Sequence, residues 1–492
     1  MIPAGIGQIH FPFVSMPWAI QPMTSPSQNV TIDARAFATP VDDPEIKEIT
    51  DLVLGEIHQA AAFIADHQYG DLIAARSLIR EAMKREQPRY VCAICGTPVH
   101  LVASMQKRFF FRHKTEDGSC PAVTRGSLTE EEIRARKYRG LRESEAHKKI
   151  KHLIERSLRA DPGFDTETIA QEKRWSALDD PQAWRKPDVQ ATSSEGRFAF
   201  EAQLSTTFLD VVVGRRMFYR DVGAHLIWIL ASFSENYRRM TTDDLLFSNN
   251  SNAFVVDEET VRISEETRRF HLRCHYRVPF CSGGVISDRW QEAIVLFSEL
   301  KKELQNQRAY YFDYETEEAK CLDQQLREEV VAYWTENMSV QMKGRPEHHG
   351  RWLELKERLA QRNVAVPDHP DRSKSFSGMM NAVLSGLAGR GVGWKFDSLV
   401  QCAHQIAERR PESLLAFAFA VEVAGHKELL TSQDSTGKWA ARRKAMGIQL
   451  RNGDQKFVPP QEWLPALAFL FPDVGARLAE FVRSKGLFSK TG

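Results

Sequence analysis

Excess charge of one sign is the first thing this chain lacks: 66 Lys and Arg face 65 Asp and Glu, a formal net charge of +1 over 492 residues. A polycation binding nucleic acid along its whole length is excluded, so any phosphate contact must come from local patches. Long apolar runs are missing as well. The run 414–421 stops at Glu422, and nothing approaches the ~20 residues of a membrane span, so no membrane contact is expected. No Lys or Arg precedes Arg35, and an apolar start without charge is not expected to act as a secretory signal. Cysteine is sparse and odd in number, seven in all, with Cys274, Cys281, Cys321 and Cys402 scattered outside any framework. That usage points to a reducing, cytoplasmic setting. No internal repeat is visible. What remains is a globular composition, 42% apolar and 27% charged, on a chain too long for one core. Two to four domains are expected.

Residues 1–42 are rich in Pro, Ser and aromatics without helical period and read as a loosely ordered arm. In 43–88 the apolar positions Ile49, Leu52, Val53 and Ile57, then Leu72, Leu78, Ile79 and Met83, recur at helical spacing, which predicts a helical hairpin broken near Gly70. A finger is expected over 89–125 and a core alternating helix, strands, helix and strand over 126–235. Residues 236–287 read as a mixed connecting segment, with a polar gap at 247–252 and a strand at 268–279. From 288 to 492 the pattern is mainly helical, including 290–304 and 414–423.

Cys92-Ala-Ile-Cys95-Gly96 is a knuckle: two thiolates two residues apart, with a glycine that lets the backbone turn beneath a metal. His113 and Cys120 complete a Cys3His set for structural Zn2+, four protein ligands with no open position. Residues 99–102 and 108–113 read as two short strands that return His113 to the knuckle. His100 is a competing imidazole, but it sits inside a strand pattern and is not expected to be a ligand. Buried cysteines beside a surface histidine are the plainer alternative. Over 107–142 basic residues outnumber acidic ones, which suits phosphate contact or a solvated face.

A helix over 141–158 carries the stripe Ala146, Ile150, Leu153, Ile154 and Leu158. At ~100° per residue Glu143 falls near the centre of that stripe and Glu145 opposite it. An inward acid must be paired or bind metal; the alternative is a first-turn acid favoured by the helix dipole. His147 and Lys151 lie one and two turns beyond Glu143, along the edge of its face. A strand over 168–172 follows, then Arg185-Lys186-Pro187-Asp188-Val189, a turn at 193–196 and an alternating strand over 197–204. In that strand Phe198, Phe200, Ala202 and Leu204 share one face, and Glu201 and Gln203 the other. The hairpin should set Asp188 beside Glu201. Two adjacent carboxylates repel unless a cation sits between them, and Mg2+ accepts two carboxylates while keeping several waters. Such an ion activates water and offsets charge building on phosphorus.

Residues 90–230 resemble the competence-protein CoiA-like family, whose core belongs to the PD-(D/E)XK nuclease superfamily. The matching pieces, in order, are Cys92-x-x-Cys95, Phe111-Arg-His113, Glu143-Ser144-x-x-His147, Glu172, Arg185-Lys-Pro-Asp188-Val189, Phe200-Glu201-Ala-Gln203-Leu204-Ser205, Arg215-x-x-x-Tyr219 and Ile227-Trp228-Ile229-Leu230. The resemblance implies an α/β, restriction-endonuclease-like core, a central mixed sheet with helices on both faces. It further implies that Asp188, Glu201 and the Ala202 carbonyl bind catalytic Mg2+ or Mn2+, with Glu143 on the same metal directly or through water. Gln203 stands where the superfamily usually has lysine; glutamine orients water but carries no charge. Lys151 or Arg215 could supply the missing cation. Arg215 and Tyr219 are four apart and share a helix face, where they bind phosphate or brace the site. His147, Arg185 and Lys186 join them as candidate DNA contacts or supports.

The implied function is a metal-dependent DNA endonuclease of bacterial competence, DNA processing or defence against foreign DNA. The alternative is an inactive nuclease fold serving as a DNA-binding or scaffold protein, or a regulator whose finger and C-terminal helices bind a protein partner. In that C-terminal region Lys438-Trp439-Ala-Ala-Arg442-Arg443-Lys444 suits a nucleic-acid backbone, or a solvated helix anchored by one tryptophan. His348-His349, and His271 with His275, have too few partners for a metal site.

Overall fold

The computed structural model describes residues 31–104, 106–116, 120–122, 145–176, 183–203, 209–236, 238–337, 346–452 and 454–485. Glu143, Leu204, Ser205 and most of the expected arm lie outside the described residues. The chain divides into two compact units, one reaching Arg277 and resuming over Trp290–Asp313, the other holding Val278–Arg289 and everything from Tyr314 onward.

The first unit begins with a small β-rich part. Strands β1 (Glu48–Asp51) and β2 (Glu56–Gln59) form an antiparallel hairpin, followed by helices α1 (Ala60–Ala65) and α2 (Tyr69–Lys84). The helical hairpin expected over 43–88 is therefore half wrong. Ile49, Leu52, Val53 and Ile57 keep helix-like spacing only because a turn at Gly55, with φ 72°, interrupts a period of two. Leu52, Val53 and Ile57 are exposed and only Ile49 is buried, so no helical face is formed. Strand β3 (Tyr90–Cys92) pairs with β1, and β4 (Val99–Ala103) pairs with β5 (Phe109–His113), as the two-strand pattern requires.

The second part is built on a seven-stranded mixed sheet. Its elements are α3 (Glu145–Ala160), β6 (Ala170–Gln171), the small β7 (Trp175–Ser176) and β8 (Trp184–Arg185) pair, β9 (Val189–Ser193), β10 (Gly196–Gln203), α4 (Leu209–Asp221), β11 (Ala224–Leu230), α5 (Met240–Phe247), β12 (Asn252–Val255), α6 (Glu258–Thr267), β13 (His271–Ser282) and β14 (Val285–Leu296). The strand order is β14-β13-β12-β11-β10-β9-β6. β6, β9 and β10 run antiparallel in turn, then α4 crosses over to β11, parallel to β10.

β10 lies mid-sheet, and every residue from Phe198 to Gln203 is buried. A strand covered on both faces needs that. Phe198 meets Phe164 and Phe297, and Phe200 meets Phe270 and Phe297, at ring separations of 5.2–6.0 Å. Each such ring contributes about 1.5–3 kcal/mol by leaving water. Ala199 on the opposite face packs with Trp175, Phe218 and Tyr219 under α4. The helix α3 keeps four residues of the predicted stripe, with Ile150, Leu153, Ile154 and Leu158 buried, but Ala146 in its first turn is exposed, so the buried face does not reach the helix start.

Residues 236–287 are no connector, since α5, β12, α6 and β13 extend the same sheet. Residues 290–304 are not helical either. They hold β14, a short 3-10 turn (Phe297–Glu299) and β15 (Lys301–Glu303), which pairs with β16 (Arg308–Tyr310). Apolar residues three and four apart suggest a helix there, but β13 offers β14 a strand edge to pair with, and tertiary pairing wins over spacing.

A knot of buried charge ties the two parts of this unit. Lys107, in the turn between β4 and β5, donates to Asp243 Oδ2 at 2.6 Å and to the carbonyl of Arg238 at 2.9 Å. Tyr69 donates to the same carboxylate at 2.7 Å, and Arg238 Nε to its other oxygen at 2.7 Å. Beside it, Arg76 holds Asp244 through both oxygens at 2.7 and 2.9 Å.

The second unit is helical: α7 (Tyr314–Asn337), α8 (Pro346–Ala360), α9 (Lys374–Ala388), α10 (Leu399–Arg409), α11 (Leu414–Val423), α12 (Lys427–Ser432), α13 (Lys438–Arg451), α14 (Leu464–Leu470) and α15 (Pro472–Lys485). Its core holds Trp334, Trp352, Phe376, Leu399, Phe417 and Leu467. α9 and α11 touch at Gly386, where a Cβ would come within 2.8 Å of Ala420 Cβ and 3.0 Å of the Phe417 carbonyl. Among the described residues no helix is long and apolar enough to cross a membrane.

Candidate metal centre and carboxylate site

Cys92 ends β3, and the chain turns back through Gly96, whose φ of 69° and N–H bond to the Cys92 carbonyl at 2.9 Å close the knuckle. Only a residue without a Cβ takes that φ freely. The Val99↔His113 register of β4 and β5 carries His113 back to it. Donor atoms of Cys92, Cys95, His113 and Cys120 all lie within 4.8 Å of one another, and His113 Nε2 is 3.5 Å from Cys95 Sγ. Zinc at ~2.3 Å from sulfur and ~2.0 Å from nitrogen needs donors roughly 3.5 Å apart, so this Cys3His cluster can hold a metal such as zinc.

Burial opposes ionisation of Cys95, yet hydrogen bonds from Thr97 and from the thiols of Cys120 and Cys92 hold it at about 6. Cys120 is pushed up, first by burial. His113 Nδ1 lies 3.5 Å from Glu116 Oε1, an outer partner of the kind that orients a liganding imidazole. Sequence reasoning passed over Glu116; its spacing of three from His113 was the available signal. His100 is buried in β4 and is not one of the cluster, as expected.

The carboxylates meet where β9 and β10 begin to part. Val189 pairs with Phe200, which sets Asp188 beside Glu201. Asp188 Oδ2 accepts the Ala202 N–H at 2.8 Å and lies 3.2 Å from His147 Nε2 on α3. Glu201 is fully buried on the face toward α4. There Tyr219 donates to Oε1 at 2.9 Å, and Arg215 forms an ion pair with Oε2. Burial pushes Glu201 up to about 8 against the pull of Arg215, and the neighbouring Asp188 adds to the rise. Asp188 moves the other way: burial would raise it, but His147, the Ala202 N–H and Arg215 outweigh burial and lower it.

Gln203, at the end of β10 opposite Leu230, is 9% exposed. Lys151 is buried and paired with Glu172, whose N–H reaches the carbonyls of Pro187 and Asp188 at 3.2 and 3.4 Å. Of the two candidate cations, then, Arg215 is the one on Glu201. Glu145 points to solvent and pairs with Lys148 at 2.8 Å, the outward position expected of it. Arg185 is exposed over the Phe218 ring at 5.4 Å, and Lys186 is exposed beside it. Trp228, which had no assigned role, lies level with Glu201 on β11, with Arg215 over its ring at 5.7 Å.

Other candidates resolve simply. Trp439 is buried in the helical core while Arg443 and Lys444 are exposed, the arrangement of a solvated helix with one anchor. His275 pairs with Glu292 at 3.3 Å and stacks on Phe233. The Cys3His set is the one cluster among the described residues with three or more His, Cys, Asp or Glu donors close enough for a metal.

Two family models match this chain. One, described as a domain of unknown function (DUF7830), matches residues 55–127, and the other, also a domain of unknown function (DUF6035), matches residues 129–315. The first spans the knuckle and its strands, and the second spans the mixed sheet. No curated protein and no solved structure matches the chain.

Proposed function

We propose that the first unit is a metal-dependent DNA nuclease of the PD-(D/E)XK kind, with the Cys3His cluster as a structural zinc finger. The observation that carries this reading is the meeting of Asp188 and Glu201 on neighbouring strands, one held low and the other pushed up to about 8. The order helix α3, antiparallel β6, β9 and β10, helix α4 and parallel β11 supports it, since the superfamily expected from the sequence uses a mixed sheet between helices.

The donor set fits a hard divalent ion. Each carboxylate offers about four lone-pair sites, and the Ala202 N–H, His147, Tyr219 and Arg215 occupy only some of them. Asp188, Glu201 and the Ala202 carbonyl would hold Mg2+ or Mn2+, and the ion would supply an acidified water and offset charge on phosphorus. The chain's own groups do the aiming. The Ala202 N–H and His147 fix the Asp188 carboxylate, while Tyr219 and Arg215 fix that of Glu201. Gln203, one residue beyond Ala202, would orient a water by hydrogen bonding without adding charge. Arg215 and the exposed Arg185 and Lys186 offer positive charge to a phosphate backbone.

A second reading rests on Arg215. A guanidinium already paired with Glu201 can stand in for the cation, leaving a nuclease fold that binds DNA without cutting it. One experiment separates the two. Purified protein and Asp188→Asn are incubated with supercoiled plasmid, linear duplex and single-stranded DNA, in Mg2+, Mn2+ or chelator. The first reading expects cleavage by wild type in divalent metal and none by the variant or in chelator. Salt-sensitive binding by both proteins, with no cleavage in any metal, establishes the second.

A further inference from the structure

The helical unit contains a cavity of about 340 Å3 bounded by α11, α12 and α13, within the ~300–1,000 Å3 usual for small-molecule sites. Leu414, Phe417, Val421, Leu430, Met446 and Phe457 make its walls apolar. A void of this size among large side chains forfeits packing, and three features mark it as a binding site.

The first is Gly447, which lines the cavity from the middle of α13. Glycine is a poor helix former there, and a Cβ built at this position meets no heavy atom within 4 Å. The second is Trp439, a large aromatic wall residue that is 5% exposed.

The third is the charge at the rim. Glu422 is engaged by Lys427 at 3.1 Å and by Arg477 at 2.7 Å. Asp434 accepts the Trp439 and Ala440 N–H groups at 3.1 and 2.8 Å, and so caps α13. Arg443 also lines the cavity, is exposed, and has no ion pair or hydrogen bond among the described residues. The walls thus offer apolar surface and one uncommitted cation.

We propose that this cavity binds a small apolar acid, its hydrocarbon body between α11 and α13 and its carboxylate on the Arg443 guanidinium. The full-length protein is titrated calorimetrically with decanoate, decanamide and decylamine. Decanoate should bind at least ten times more tightly than decylamine. Arg443→Gln should weaken decanoate about tenfold and leave decanamide unchanged, and Lys444→Gln, one residue on, should change neither. Gly447→Leu fills the space and should abolish binding of all three while the helical circular dichroism is kept. Ala418→Phe, from an exposed rim position on α11, should do the same and covers a folding failure of the glycine variant. The proposal is overturned if no ligand gives heat, if decylamine binds as well as decanoate, or if both folded filling variants bind like wild type.

Discussion

Tyr219 donates its phenolic hydrogen to Oε1 of Glu201 at 2.9 Å, and Arg215, one turn earlier on the same helix, holds Oε2. Even so, burial leaves this carboxyl harder to ionise than an ordinary glutamate, pushed up from 4.5 to about 8. A pH dependence follows. A folded value above the unfolded one contributes stability that is complete below about pH 4.5 and is lost as pH rises through about 8. Asp188, held low, contributes in the opposite sense, with stability lost only as pH falls through its folded value. Chelator-treated wild type should therefore lose stability relative to Glu201→Gln between about pH 5 and 8.5, by on the order of a few kcal/mol. Urea midpoints of the two proteins across that range measure it, and parallel curves would refute it.

Neutralising either carboxylate should end metal-dependent cleavage without unfolding the protein. Asp188→Asn keeps an oxygen for the Ala202 N–H, and Glu201→Gln keeps one for Tyr219. Near neutral pH Glu201→Gln should melt level with or slightly above wild type, while Asp188→Asn, which gives up a charge that His147 and Arg215 favour, should melt slightly lower. Glu145→Ala, on the solvent side of α3, should cleave at the wild-type rate. Product yields on plasmid DNA decide both.

Arg215→Ala asks which cation Glu201 depends on. Breaking a buried pair costs about 3–5 kcal/mol, and here somewhat less, since the Arg215 side chain is 29% exposed. If the site takes a divalent ion, millimolar Mg2+ should restore more of the lost melting temperature than it adds to wild type. Equal Mg2+ shifts in both proteins would favour the guanidinium as the resident cation.

Purified protein should carry about one zinc per chain, measurable by elemental analysis. Cys92→Ser and Cys120→Ser should lower metal content and stability together. A loss of even about 4 kcal/mol would lower the melting temperature by roughly 10 °C in a unit of this size. Metal-free protein with an unchanged melting curve would rule the finger out.

The candidate site was largely legible because its signals are local. The Cys92–Cys95 knuckle, the alternation around Glu201 and the four-residue spacing of Arg215 and Tyr219 are each set by one element's period. Misreadings came where two elements share one apolar pattern. Leu52 and Ile57 flank a turn at Gly55, and Trp290 to Leu296 pairs with β13, so neither period could be told from a helix without its partner. The commitment of Lys151 to Glu172, and of Lys107 to Asp243, depends on contacts between residues far apart in sequence and leaves no trace in spacing.

Lys107 sits in a finger turn, while its partner Asp243 sits on α5, beyond four strands of the sheet. Melting the whole β-rich part would take Lys107, Tyr69 and Arg76 from Asp243 and Asp244 and leave two adjacent buried carboxylates with Arg238 alone, so a half-molten intermediate is expensive. The boundary near residue 128 between the two matched domains is then not a boundary in cooperativity. Scanning calorimetry of this unit should give one transition in which calorimetric and van't Hoff enthalpies agree, and zinc removal should move that whole transition rather than split a shoulder from it.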